Sequence, residues 1–192
     1  MESGTQKGYC MTKSKINGPT IITLLRIILV APIMILIFMD NLPAQIVTIA
    51  LFSIASITDE IDGRWARKTK QVTDLGAFLD PLADKMLINL TFLALVSINL
   101  MPLWMFAVIL IRDFAVDGMR MMAAKKGITI SASFAGKLKT TIQMITIISI
   151  LTNRILNFEP LAIINAILLY IVVFLTILSG AIYLFKGRKL LK

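Results

Sequence analysis

The sequence predicts an all-α integral membrane protein of six transmembrane helices, with both termini on the cytoplasmic side. Three observations predict it. The chain is 57% hydrophobic with a mean hydropathy of +0.84, and only 16% of its residues are charged, which excludes an ordinary soluble domain. Its 192 residues leave room for about six spans of ~20 residues with short connections. Its Lys and Arg residues fall in short segments beside the apolar runs, and alternate connections are nearly free of them.

Residues 1–15, polar and basic, read as a cytoplasmic leader, and 16–192 as a single six-helix domain. Met11 is an alternative start to Met1 on this reading, since nothing before it looks structural. The first span runs from about Ile21 to Met39, tolerating Pro32 as a kink. It carries Arg26, which either snorkels to the interface or meets substrate. Asp40-Asn41-Leu42-Pro43 is a tight turn without Lys or Arg. The second span starts at Ala44 and ends in an acidic motif near Asp62, before a basic loop with Arg64, Arg67, Lys68 and Lys70. The third runs from about Val72 to Ile98, and Asn99-Leu100-Met101-Pro102 is again an uncharged turn. The fourth covers Leu103 to Met122, the fifth Leu138 to about Leu151, and the sixth Pro160 to Phe185. That last segment is 26 residues without a charge.

The side holding both termini collects 16 of the 20 Lys and Arg residues, and the opposite connections hold only Arg154. The positive-inside rule therefore sets the topology and places the protein in the cell membrane. The formal net charge of +9 is explained by orientation and by contact with membrane lipids, so no nucleic-acid partner is expected. A single Cys10 excludes a disulfide scaffold, and the absence of histidine excludes a histidine-ligated zinc or haem site. Acid–base chemistry falls to carboxylates, lysine, tyrosine or water.

Six of the eleven acidic residues lie in the 26 positions from Asp59 to Asp84. On helices, Asp59 and Asp62 share a face at i,i+3, and Gly76, Asp80 and Asp84 share another at i,i+4 steps. Two helices meeting there would aim four carboxylates into one small volume. Alone they would repel and protonate, whereas one or two divalent ions make an all-oxygen site of them. The positions lie below the cytoplasmic interface, so the cavity opens to the cytosol.

The spacing Asp59-x2-Asp62-Gly63-x2-Ala66-Arg67-x8-Gly76-x3-Asp80-x3-Asp84 resembles the signature of the CDP-alcohol phosphotransferases at every fixed position. Further similarity lies in Thr23-Leu24-Leu25-Arg26, Phe78 to Lys85, Arg112-Asp113-Phe114, Met119-Arg120 and Gly136-Lys137-Leu138-Lys139-Thr140. The resemblance implies an enzyme of phospholipid biosynthesis that moves the phosphatidyl group of CDP-diacylglycerol to glycerol 3-phosphate and releases CMP. It also implies a homodimer and a Mg²⁺ (or Mn²⁺) cofactor, two ions in all, for an in-line displacement.

By resemblance, Asp59, Asp62 and Asp80 are metal ligands, while Asp84 joins the second metal and acts as general base towards the acceptor hydroxyl. Asp62, Gly63, Ala66, Arg67 and Gly76 would receive CDP-diacylglycerol, with Arg67 on a phosphate. The acceptor's phosphate needs other cations, and Arg112, Arg120, Lys137 and Lys139 are the candidates. Asp113 and Asp117, at i,i+4, are expected to orient Arg112 and Arg120. A sibling activity with inositol phosphate or phosphatidylglycerol as acceptor stays open. So does a different class, a divalent-cation channel or transporter, because an acidic intramembrane cluster also marks those.

Overall fold

The computed structural model describes the backbone of residues 18–69, 74–125 and 134–191, and the side chains of 24–58, 83, 85–123, 136 and 138–185. Among the described residues the chain is all-α: α1 Gly18–Phe38, α2 Leu42–Thr69, α3 Asp74–Ser97, α4 Leu103–Lys125, α5 Phe134–Leu156 and α6 Glu159–Leu191. The predicted leader lies outside the described residues. Most helices outrun their predicted spans. α2 continues through Arg64, Arg67 and Lys68, which the sequence assigned to a loop, and α5 begins at Phe134, ahead of Leu138. Hydropathy marks where apolar character stops, whereas helical hydrogen bonding continues into polar residues.

Asparagines make the three short turns. Asn41 Oδ1 accepts the Ala44 N–H at 2.8 Å and caps α2. Asn99 and Asn157 take positive φ, 60° and 48°, just beyond α3 and α5. Such a left-handed residue closes a helix C-terminus, and Leu100 N donates back to Leu95 O at 2.9 Å. These turns gather at one end of the bundle, called here the turn end. There Arg154, near the end of α5, donates to Ile37 O at 2.6 Å and to Asp40 at 3.3 Å.

α1 packs on α2 and α3, α5 on α2, α3 and α6, and α4 on α3 and α6. The core holds Ile33 and Ile37 of α1, Phe52 of α2, Leu87, Phe92 and Leu95 of α3, Ile109 of α4, Ile147 of α5 and Val172 of α6. Thr48, Thr91, Thr146 and Thr176 bond the carbonyl four residues back, which lets a hydroxyl sit in this apolar interior satisfied. Glu159–Phe185 is long and apolar enough to cross a membrane by itself; Leu24–Phe38, Leu42–Thr58 and Lys85–Ser97 are shorter apolar helices. Away from the turn end, where α3 and α5 begin and α2 and α4 finish, the core turns polar.

Candidate active site

The sequence singled out two sets of residues, and the structure treats them differently. Asp59, Asp62, Gly63, Ala66 and Arg67 lie on α2, and Gly76, Asp80 and Asp84 on α3. Both stretches are helical, so the i,i+3 and i,i+4 registers hold along the backbone. α2 and α3 are both packed on α1 and α5. The side chains of these eight residues, and of Lys137, lie outside the described residues. Among the described residues no group of His, Cys, Asp or Glu forms a metal site.

Of the basic set, the side chains of Arg112, Arg120 and Lys139 are described. A cavity of about 210 Å³ opens between α3, α4, α5 and α6, and Lys85, Arg112, Arg120 and Lys139 line it together with Asp113 and Asp117. Arg112 and Arg120, eight residues apart on α4, reach the same space, as does Lys139 from the first turns of α5. Among the described residues, four cations face two carboxylates in the lining.

Among the described residues, three side chains hold the four cations. Asp113, buried on α4, accepts from Arg112 Nη1 at 3.0 Å and from Lys139 Nζ, tying α5 to α4. Asp117 pairs with Lys85 of α3. The sequence expected Asp117 to orient Arg120, and that pairing is replaced by one with a residue 32 positions away. Helical spacing shows which neighbours can meet, but a cation on a packed partner helix competes for the same carboxylate.

Arg120 rests instead on Tyr183 of α6. Its Nη2 donates to the tyrosine oxygen at 2.5 Å, and its guanidinium carbon lies 5.0 Å from the ring centroid. The Arg112 guanidinium stands 5.7 Å from the same ring. Both distances fall within cation–π range, and Tyr183 is buried. Gly180, one turn earlier, makes room for this: a Cβ there would meet Arg112 Cγ at 3.1 Å. Sequence reasoning missed both residues, along with Asn89 and Gln143 in the lining.

Several buried polar atoms at the cavity have no hydrogen-bond partner among the described residues: Arg112 Nε and Nη2, Arg120 Nε, Asn89 Oδ1 and Gln143 Nε2. Four of the five are donors; buried donors without acceptors are costly, and the residues that carry them line one cavity, which suits an anionic, hydrogen-bonding ligand. Residues 16–178 match the sequence pattern of the CDP-alcohol phosphatidyltransferases. The chain belongs to that family.

Relatives within the CDP-alcohol phosphatidyltransferases are similar along most of their length. The CDP-diacylglycerol--glycerol-3-phosphate 3-phosphatidyltransferase of Bacillus subtilis is 40% identical over 92% of this chain and 97% of its own. The Rickettsia typhi protein of the same name is 36% identical over 90% of this chain and 97% of its own. A probable phosphatidylglycerophosphate synthase of Mycobacterium tuberculosis is 33% identical over 90% and 82%. The family pattern covers the two acidic stretches and the basic cavity alike, apart from Tyr183 and Gly180, which lie past its last matched residue.

Proposed function

We propose that this chain transfers the phosphatidyl group of CDP-diacylglycerol to sn-glycerol 3-phosphate, giving phosphatidylglycerophosphate and CMP. The observation that carries the proposal is the cationic cavity directly beyond the acidic motif. Lys85, which lines it, follows Asp84 in the chain. A phosphomonoester carries about −1.5 to −2 charges at pH 7, which suits a lining whose described residues are cationic in balance. An acceptor without a phosphate, such as choline or serine, would bring no such negative charge to these cations. The relatives named for this transfer, similar over nine-tenths of the chain, support the same acceptor.

In this reading Arg112, Arg120, Lys137 and Lys139 receive the acceptor's phosphate, and Asp84 takes the proton from its attacking hydroxyl. Gly63, Ala66 and Gly76 keep the helix surfaces low for the nucleotide, and Arg67 meets a phosphate of the CDP group. Asp59, Asp62, Asp80 and Asp84 would hold Mg²⁺, because a donor set of carboxylate oxygens alone fits hard divalent cations. When bound, the metal supplies charge neutralisation of the pyrophosphate and orients the displacement.

The proposal includes six spans with both termini cytoplasmic, a single domain, a homodimer and a site facing the cytosol. Outward-facing apolar side chains support the spans: Ile28 and Ile35 on α1, Ile54 and Ile57 on α2, Ile111 and Phe114 on α4, Phe174 and Phe185 on α6 are all more than half exposed. The test is an acceptor screen with purified protein and CDP-diacylglycerol. CMP release with glycerol 3-phosphate supports the reading. Release only with inositol phosphate or phosphatidylglycerol, or cation flux without CMP, would overturn it.

A further inference from the structure

The phosphate-binding cations do not account for every polar group that the cavity buries. Gln143 sits on α5 one turn beyond Lys139, and Asn89 on α3 one turn beyond Lys85, and all four line the same cavity. Gln143 is 2% exposed. Its Nε2 and the Asn89 Oδ1 are buried with no hydrogen-bond partner among the described residues. Neither amide carries charge to add to the phosphate site. Interior amides normally find partners, so an orphaned pair lining one cavity is fitted to something that enters it.

The chemistry of the pair is specific. One presents a donor and the other an acceptor, and the group that needs both is a hydroxyl, which accepts through a lone pair while donating its proton. A phosphate oxygen needs donors only. We infer that Gln143 and Asn89 read the non-reacting hydroxyl of the acceptor, and so select a phosphorylated polyol over a phosphorylated simple alcohol. This rests on the acceptor reading above, since glycerol 3-phosphate keeps one free hydroxyl beside the one that attacks. A site built to bond a hydroxyl rejects the analogue lacking it far more strongly than an apolar pocket rejects an added one, because its own polar groups are then left unpaired.

The experiment compares sn-glycerol 3-phosphate with 3-hydroxypropyl phosphate, which lacks only the middle hydroxyl, using the purified full chain in detergent with CDP-diacylglycerol. The wild type is expected to favour glycerol 3-phosphate by at least about tenfold in kcat/KM, roughly one buried hydrogen bond to each amide. Gln143→Met and Asn89→Leu, each similar in size to the residue replaced, should bring that ratio towards one, acting mainly through KM for the acceptor. The KM for CDP-diacylglycerol should stay within twofold. Either variant alone suffices if the other does not fold. A ratio unchanged in the folded variants would overturn the inference while leaving the transfer reaction standing, as would a wild type that uses both acceptors equally. A wild type that releases CMP with neither acceptor would overturn the transfer reading and the inference together.

Discussion

Tyr183 lies under Arg120, its ring centroid 5.0 Å from the guanidinium carbon and its hydroxyl accepting from Nη2 at 2.5 Å. The last helix thereby fixes a cation of the basic cavity in direction as well as in place. A hydrogen bond to a charged group is worth ~1.5–3 kcal/mol, and a cation–π contact away from water about as much. Tyr183→Phe should raise KM for glycerol 3-phosphate about tenfold, and Tyr183→Leu further. The KM for CDP-diacylglycerol should hardly move. Initial-rate kinetics with each substrate varied in turn check the split.

Gly180 gives a prediction with two opposite signs. A methyl group there presses on Arg112 Cγ at 3.1 Å, and Arg112 is already tied to Asp113. Alanine also favours the helix by ~1 kcal/mol over glycine. Gly180→Ala should leave the melting temperature in detergent level or higher, yet raise the acceptor KM several-fold. Level or higher stability with an unchanged KM would show that Arg112 moves aside freely, and a fall in stability would show that it cannot.

Asp113 compensates two buried cations, Arg112 and Lys139, from one carboxylate. Removing one partner of a buried charge cluster costs ~3–5 kcal/mol. Asp113→Ala should therefore lower thermal stability sharply. Asp113→Glu, which keeps the charge, should recover most of it. Light-scattering or fluorescence melts of the detergent-solubilised protein measure both.

Arg154, at the turn end, separates stability from catalysis. It joins the end of α5 to the Ile37 carbonyl at the end of α1, and it lies at the opposite end of the bundle from the basic cavity. Arg154→Ala should cost ~1–3 kcal/mol of stability through the unsatisfied carbonyl. Both KM values should stay as they are, as substrate-velocity curves would report.

The six helices were legible because each connection carries its own sign: Lys and Arg clusters on one side, Asn-rich turns on the other. The shared destination of Arg112, Arg120 and Lys139 was legible too, from helical angle and from the need for phosphate charge. Tyr183 was not. It sits in a long uncharged run where one tyrosine looks like any membrane-facing aromatic, and only the packing of α6 on α4 turns it towards the arginines. Gln143 escaped notice in the same way, as one polar residue among the threonines of α5. The Lys85–Asp117 pair shows the other limit. A reading along one helix offered Asp117 the nearby Arg120, and the neighbouring helix supplied a better-placed lysine.

The central claim is that carboxylates on α2 and α3 drive a metal-dependent phosphatidyl transfer. The most direct measurement is CMP release from CDP-diacylglycerol and glycerol 3-phosphate, with Mg²⁺ or with EDTA, for the wild type and Asp84→Asn. Release should require the metal and fall at least about a hundredfold in Asp84→Asn, the loss of a general base. Undiminished release in EDTA, or an Asp84→Asn protein as fast as the wild type, would contradict it.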